Sequence, residues 1–342
     1  MLEKKKKFYP ILTIAYVTFN RADLITRRIK KLLKNSLSPY VEVVVIDDNS
    51  KDNTFKKLKK LIKKNSIIKI YKNKKNLGFS GNYFEAIKRA NGKYVLWASD
   101  KDGIYFNKIE KILNWILNIN PDVTLLNYNR NLILKRNDPK YIRKNRTKKI
   151  SFNEIWKCSH GPGIIWKRKA ILQTINQWKI FDKTYPNFTK YYPNLLLLIN
   201  ILPKNNCFFY NGEITYQAEY PKYSHFLERE NSYNFLSSRW KQHKELIDLL
   251  NNYAKKKKKY EFFYKSMINS VHLNLYTFIS RAIREERPDL YFYWWRGSYS
   301  PLQLIKKFFL FINLFFVKIF YEPLWTIDKI KYRLSLIFKK KI

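Results

Sequence analysis

The feature that most constrains this chain is the alternation over its first 130 residues. Short apolar runs rich in β-branched residues take turns with stripes at helical spacing. Ile11 to Val17, Val41 to Ile46, Ile67 to Tyr71, Tyr94 to Ala98 and Val123 to Asn127 read as buried strands. Between them, Leu24, Ile25, Ile29, Leu32 and Leu33 mark one face of a helix, with Arg27, Arg28, Lys30, Lys31 and Lys34 on its wet face. Further helices are expected over Thr54 to Lys63, Asn82 to Ala90 and Asn107 to Leu117. Asn20 is placed to cap the first helix, and Asn91-Gly92 to end the third with residues that tolerate left-handed backbone. Alternation with short connections predicts an α/β fold built on a mainly parallel sheet with right-handed crossovers.

In such sheets ligands bind beyond the carboxyl ends of the strands. Three polar clusters fall there: Thr18 to Arg21, Asp47 to Asp52, and Asp100-Lys101-Asp102. A carboxylate pair at a strand end offers hard oxygen ligands of the kind that hold Mg²⁺ or Mn²⁺ beside a diphosphate, whose oxygens complete the metal's shell. Asp47 and Asp48 can accept hydrogen bonds from a base N–H or a ribose hydroxyl. Thr18 and Asn20 add a hydroxyl and an amide, although turn and cap duty is an equal claim on Asn20. Asp52 suits capping of the next helix. In Asn76-Leu77-Gly78-Phe79-Ser80-Gly81-Asn82, the glycines let backbone approach a ligand closely, and no Lys-Ser/Thr ending of a Walker loop follows.

Taken in order, Thr18-Phe19-Asn20-Arg21, Val44 to Asp52, Asn76 to Ser80 and Ala90 to Asp102 resemble the family 2 glycosyltransferases over residues 9 to 130. The resemblance implies a GT-A-type, Rossmann-like sheet flanked by helices and a nucleotide-sugar donor. It implies that Thr18, Asn20, Asp47, Asp48, Asn76 and Gly78 hold the nucleotide, that Asp100 meets ribose or sugar, and that Asp102, with Asp100, ligates the metal. His225 is a further candidate ligand. The family inverts the sugar with a carboxylate base. Its acidic pair after a Phe-Asp segment is replaced here: Phe181-Asp182 is followed by Lys190-Tyr191-Tyr192-Pro193-Asn194. Asp182 is the first choice for the base, with His160, Glu213, Glu219 and His225 as alternatives.

Residues 1–225 are expected to form this domain, 9–130 serving the donor and 131–225 the acceptor. Residues 226–342 read as a helical, aromatic-rich, basic C-terminal region. The start MLEKKKKFYPILTIAYV resembles a leader, but it runs into Thr18 without a small-residue cleavage site and reads better as a first strand. No apolar run reaches the length of a spanning helix. The two cysteines, Cys158 and Cys207, lack zinc-site spacing and are read as inert thiols.

The net charge of +42 attracts polyanions, or follows from a lysine-rich coding bias. Aromatic and basic residues mix from Tyr291 to Phe338, and lysine runs lie at Lys255–Lys259 and Lys339–Lys341. A membrane–water interface suits that mixture, as does a helical subdomain packed on its rings. The first reading gives a peripheral enzyme at the cytoplasmic face of the inner membrane, acting on a glycan or lipid-linked acceptor in surface polysaccharide or lipooligosaccharide synthesis. Two rivals are a nucleic-acid-binding protein and a nucleotidyltransferase. The first has no recognisable nucleic-acid module and leaves the strand-end aspartates unexplained, so no nucleic acid is expected as a partner.

Overall fold

A computed structural model of the chain describes residues 9–35, 37–62, 67–126, 148–149, 161–190, 192–201, 206–210, 212–218, 236–262, 264–265, 267–268 and 271. Contacts divide the chain into two units, residues 1–220 and 221–342.

The first unit is built on an eight-stranded sheet. Its strands are β1 (Leu12–Thr18), β2 (Val41–Asp47), β3 (Ile68–Lys72), β4 (Tyr94–Ser99), β6 (Val123–Leu126), β7 (Lys148–Lys149), β8 (Ile164–Lys167) and β9 (Cys207–Tyr210), in the order β3-β2-β1-β4-β8-β6-β9-β7. A small separate ladder pairs β5 (Asp102–Ile104) with β10 (Thr215–Gln217). The helices are α1 (Ala22–Leu33), α2 (Thr54–Leu61), α3 (Gly78–Arg89), α4 (Ile109–Ile119), α5 (Arg168–Thr184), α6 (Pro186–Thr189) and α7 (Pro193–Ile201).

β3, β2, β1 and β4 are parallel, as are β6 and β9. β8 breaks the pattern, running antiparallel to both β4 and β6. The short 3-10 turn Gly161–Gly163 leads directly into it. Every residue of β1 and β2 is buried. Such two-sided burial is what a parallel sheet covered on both faces requires. Ile25, Ile29 and Leu32 of α1, Leu58 of α2 and Ile109, Ile112, Leu113 and Ile116 of α4 close the core over Ile14, Val43, Val45 and Leu96.

Four local expectations are corrected. Arg28 is not on the wet face of α1: it is 9% exposed and shares the buried stripe with Ile25, Ile29 and Leu32. Asn20 does not cap α1. Its backbone is left-handed (φ 51°), and its Oδ1 accepts from the Lys51 backbone N–H at 2.9 Å. α3 begins at Gly78 rather than Asn82, so the glycine loop is its first turn. It ends on an extended Ala90, and neither Asn91 nor Gly92 is left-handed. Gly92 is required for close approach instead: a Cβ there would lie 2.6 Å from the Thr13 backbone nitrogen and 2.8 Å from the Tyr94 carbonyl oxygen.

In the second unit, α8 (Leu236–Lys256) lies within the stretch read as helical, with Leu246, Leu249, Leu250 and Tyr253 buried and Tyr253 stacked on Tyr264 at 5.3 Å. No helix among the described residues is long and apolar enough to cross a membrane. Tyr291 to Phe338, Lys339–Lys341, Cys158, His160, Glu219 and His225 lie outside the described residues. Cys207 is a buried free thiol, as read from the sequence.

Candidate functional site

The strand order reverses direction at β1. β2 and β3 lie on one side of it and β4 on the other. A crevice opens beyond the carboxyl ends of strands at such a switch point. The register sets Thr18 opposite Asp47 on one side of β1, and Val17 opposite Ser99 on the other. All three polar clusters therefore rise at one level.

Asp100 follows β4 and is 1% exposed. Its Oδ2 accepts from Thr18 Oγ1 at 3.0 Å, and its Oδ1 pairs with Arg21 Nη1 at 2.9 Å. The β1 end thus holds the carboxylate through a hydroxyl and a guanidinium. Asp102 is 2% exposed, and its Oδ2 accepts from the Ser99 backbone N–H at 2.7 Å and from Ser99 Oγ at 2.6 Å. The turn is closed by its own second carboxylate. Between them, burial pushes the Lys101 ammonium pKa down and Arg21 pushes the same way, against Asp100 and Asp102.

Asp47 is wholly buried. Its Oδ1 accepts from the Ser50 backbone N–H at 3.1 Å and from the Ser50 hydroxyl. Ser50 Oγ in turn accepts from the Asn20 backbone N–H at 2.8 Å, so Asn20 serves the turn through its backbone. Asp47 Oδ2 is buried without a hydrogen-bond partner among the described residues. A buried carboxylate oxygen with no donor is costly unless a ligand supplies one. Asp48 faces the loop instead. Its Oδ1 accepts from Asn73 Nδ2 at 2.8 Å and from the Leu77 N–H at 2.9 Å, which tethers the 73–77 loop to β2. Asn76 Oδ1 accepts from the Gly78 N–H at 2.8 Å, and Gly78 is left-handed (φ 71°), a conformation glycine adopts without strain. Asn76 and Gly78 form the exposed rim of the crevice. Asp52 bonds the Thr54 N–H at 3.0 Å and the Ala22 N–H at 3.3 Å, joining the starts of α2 and α1.

Ser80, in the first turn of α3, connects this crevice to the second half of the unit. Its hydroxyl reaches the carbonyls of Thr189 at 2.5 Å and Lys190 at 2.8 Å. Thr189 Oγ1 donates to Asp182 Oδ1 at 2.8 Å. Asp182 thus stands at the end of a short polar chain from the glycine loop. Glu213 is placed differently, in an ion pair with Lys108 at 2.8 Å. Asn194 is 7% exposed, on the wholly buried α7.

Sequence reasoning passed over three contributors: Arg21, which pairs with Asp100; Ser50, which orients Asp47; and Arg28, whose Nε donates to the Asp100 carbonyl at 3.1 Å. Arg28 had a signal, since position 28 falls on the helical spacing of Ile25 and Leu32. The other two lie inside motifs already marked, where type alone does not tell a ligand contact from an internal bond.

Residues 13–176 match the glycosyl transferase family 2 model. The cholesterol galactosyltransferase of Borreliella burgdorferi is 30% identical over 105 residues, 31% of this chain and 29% of that protein. The GalNAc(5)-diNAcBac-PP-undecaprenol beta-1,3-glucosyltransferase of Campylobacter jejuni is 30% identical over 105 residues, 30% of this chain and 34% of that protein. The chain thus spans about a third of the length of these curated relatives. Residues 1–349 of S. aureus TarS, solved in complex with UDP, share the fold with a TM-score of 0.52 at 17% identity, over 85% of this chain and 76% of that one. Residues 13–176 thus carry a family 2 glycosyltransferase domain, and the fold is of the GT-A type.

Among the described residues, no group of three or more His, Cys, Asp or Glu side chains could hold a metal ion unaided. The donor set nevertheless fits a hard divalent cation, which needs only one or two protein carboxylates when a diphosphate completes its shell. Asp100 and Asp102 are both buried and each is oriented by neighbouring donors.

Proposed function

We propose that this protein transfers a sugar from a nucleotide-sugar, a UDP-sugar, to a hydroxyl of a glycan or lipid-linked acceptor, with metal assistance and inversion. The observation that carries the reading is the set of buried aspartates, Asp47, Asp100 and Asp102, level with one another at the switch point of the sheet, with Asp47 Oδ2 unpaired among the described residues. In this reading Asp47 Oδ2 accepts a nucleoside N–H or O–H. Asp48 and Asn76 shape the loop that closes over the nucleoside, with Gly78 giving it room. Thr18, through its hydroxyl, and Asn20, through its turn, fix the floor. Asp100 orients ribose or sugar.

Asp102, with Asp100, would hold Mn²⁺ or Mg²⁺, and His225 is retained as a further ligand. Such an ion neutralises charge on the leaving diphosphate. Asp182 is our assignment for the base that takes the proton from the acceptor hydroxyl, supported by its link through Thr189 and Ser80 to the donor loop.

Both curated relatives are named for lipid-borne acceptors, a sterol and an undecaprenol-linked glycan, which supports a lipid-linked acceptor here. The basic, aromatic C-terminal sequence adds support for an enzyme at the cytoplasmic face of the inner membrane, in surface-glycan synthesis. The test is a donor panel read by nucleotide release, with and without lipid-linked acceptors. UDP release from one UDP-sugar, accelerated by acceptor, is expected. Pyrophosphate release from UTP and a sugar phosphate, with no UDP release from any donor, would contradict the reading.

A further inference from the structure

A guanidinium beneath the sheet's ligand turn calls for an explanation. Arg28 is 9% exposed on a helix face otherwise made of Ile25, Ile29 and Leu32. Arginine is seldom buried, because desolvating its charge is costly unless it is paired. The core does not need that charge: an unbranched apolar side chain would fill the same stripe. What Arg28 reaches is the Asp100 carbonyl, at 3.1 Å from its Nε. Tyr16 is fully buried on β1. Its hydroxyl pKa is pushed up by burial first and then by Asp102, while Arg28 pulls it down and Tyr216 pushes it up. Arg28, Asp102, Tyr16 and Tyr216 therefore share one electrostatic environment under the turn.

α1 grips the turn a second time. Lys31, one helical step on, donates its Nζ to the Tyr216 hydroxyl at 2.7 Å. Tyr216 pairs with Gly103 in the β5–β10 ladder, and Gln217 with Asp102. The Ala218 N–H donates to the Lys101 carbonyl at 2.9 Å. Successive carbonyls of Asp100 and Lys101 are thus held from opposite sides, by α1 and by the segment after β10. The carboxylates keep separate partners in Thr18, Arg21 and Ser99.

We propose that Arg28 is a positioning residue, holding the Asp100–Asp102 turn through the Asp100 carbonyl and offsetting from below the repulsion of two buried carboxylates. Arg28 acts through the turn, by its bond to the Asp100 carbonyl. The consequence for donor binding rests on the glycosyl-transfer function proposed above.

The test uses the full chain and two variants, Arg28→Met and Arg28→Lys. Hydrogen exchange is followed over residues 99–104 and over β1 and β2, and UDP affinity is measured with Mn²⁺. Arg28→Met is expected to keep the exchange of β1 and β2, to speed that of 99–104 about tenfold, and to weaken UDP binding about 10- to 100-fold, the scale of one lost charge-assisted contact. Arg28→Lys, which keeps the charge, should fall between Met and wild type. A folded Arg28→Met with wild-type exchange at 99–104 overturns the proposal, whatever happens to UDP. If the wild type binds no UDP while Arg28→Met still loosens 99–104 alone, the positioning role stands and the donor reading falls. If Arg28→Met does not fold, Arg28→Lys decides: wild-type behaviour in both readouts overturns the proposal.

Discussion

Thr18 and Asp100 are joined by a 3.0 Å hydrogen bond from the Thr18 hydroxyl to Asp100 Oδ2, closing the switch point between the ends of β1 and β4. Both side chains are nearly inaccessible, at 3% and 1%. Thr18→Val keeps the shape and removes the donor, leaving the Arg21 guanidinium to hold the carboxylate. UDP affinity should fall about fivefold, the scale of a net loss near 1 kcal/mol, with the melting temperature little changed. Titration calorimetry and thermal melting check this. Unchanged affinity would remove Asp100 from the donor contacts.

Asp182 is assigned to acid–base chemistry rather than to donor binding. Asp182→Asn should therefore leave UDP affinity as it is while lowering turnover about 10²- to 10⁴-fold, the usual worth of a positioned base. Equal loss in affinity and turnover would make Asp182 a support for the α5–α6 corner through Thr189, and the base would lie elsewhere.

Glu42 lies within β2, 6% exposed. Burial pushes its pKa up, but bonds from the Thr13 hydroxyl, from Asn91 through side chain and backbone, and from Lys69 outweigh this and hold it below the usual carboxylate range. A carboxyl depressed in the fold contributes stability that is fully present above its unfolded pKa of about 4.3 and is lost as pH falls through the lower folded value. Glu42→Gln should cost about 1–3 kcal/mol at neutral pH, with the gap to wild type narrowing in acid. Denaturant unfolding at a series of pH values measures both. A gap that does not depend on pH would count against the assignment.

Gly92→Ala forces a Cβ to within 2.6 Å of the Thr13 backbone nitrogen, an atom that cannot turn aside. The β1–β4 junction must shift, at a cost of about 1–3 kcal/mol. A lowered melting temperature is expected, and an unchanged one would mean that the junction yields freely.

Residues 9–130 were legible because period and position coincide there. Apolar runs ending at Thr18, Asp47 and Asp100 mark the strand ends, and the observed register brings those ends to one level. Three things were not legible. The direction of β8 was hidden, because the short apolar run Ile164 to Trp166 looks the same parallel or antiparallel. The burial of Arg28 was hidden by residue type, although its spacing from Ile25 and Leu32 placed it on the core stripe. Asn20 looked like a ligand group or a cap, yet its backbone N–H bonds Ser50 Oγ across 30 residues, a pairing no local pattern records. The second half of the first unit is tied in by long-range contacts such as Ser80 with Thr189 and Lys31 with Tyr216, which carry no periodic signal at all.

The central claim is that the buried carboxylates after β4 hold a divalent cation beside a nucleoside diphosphate. Its most direct measurement is UDP binding by calorimetry, with Mn²⁺ and with a chelator, for the wild type and for Asp102→Ala. Wild-type binding should require Mn²⁺, and Asp102→Ala should weaken it about tenfold or more, the scale of a lost contact to a charged group. UDP binding that is indifferent to both Mn²⁺ and the loss of Asp102 would contradict the claim.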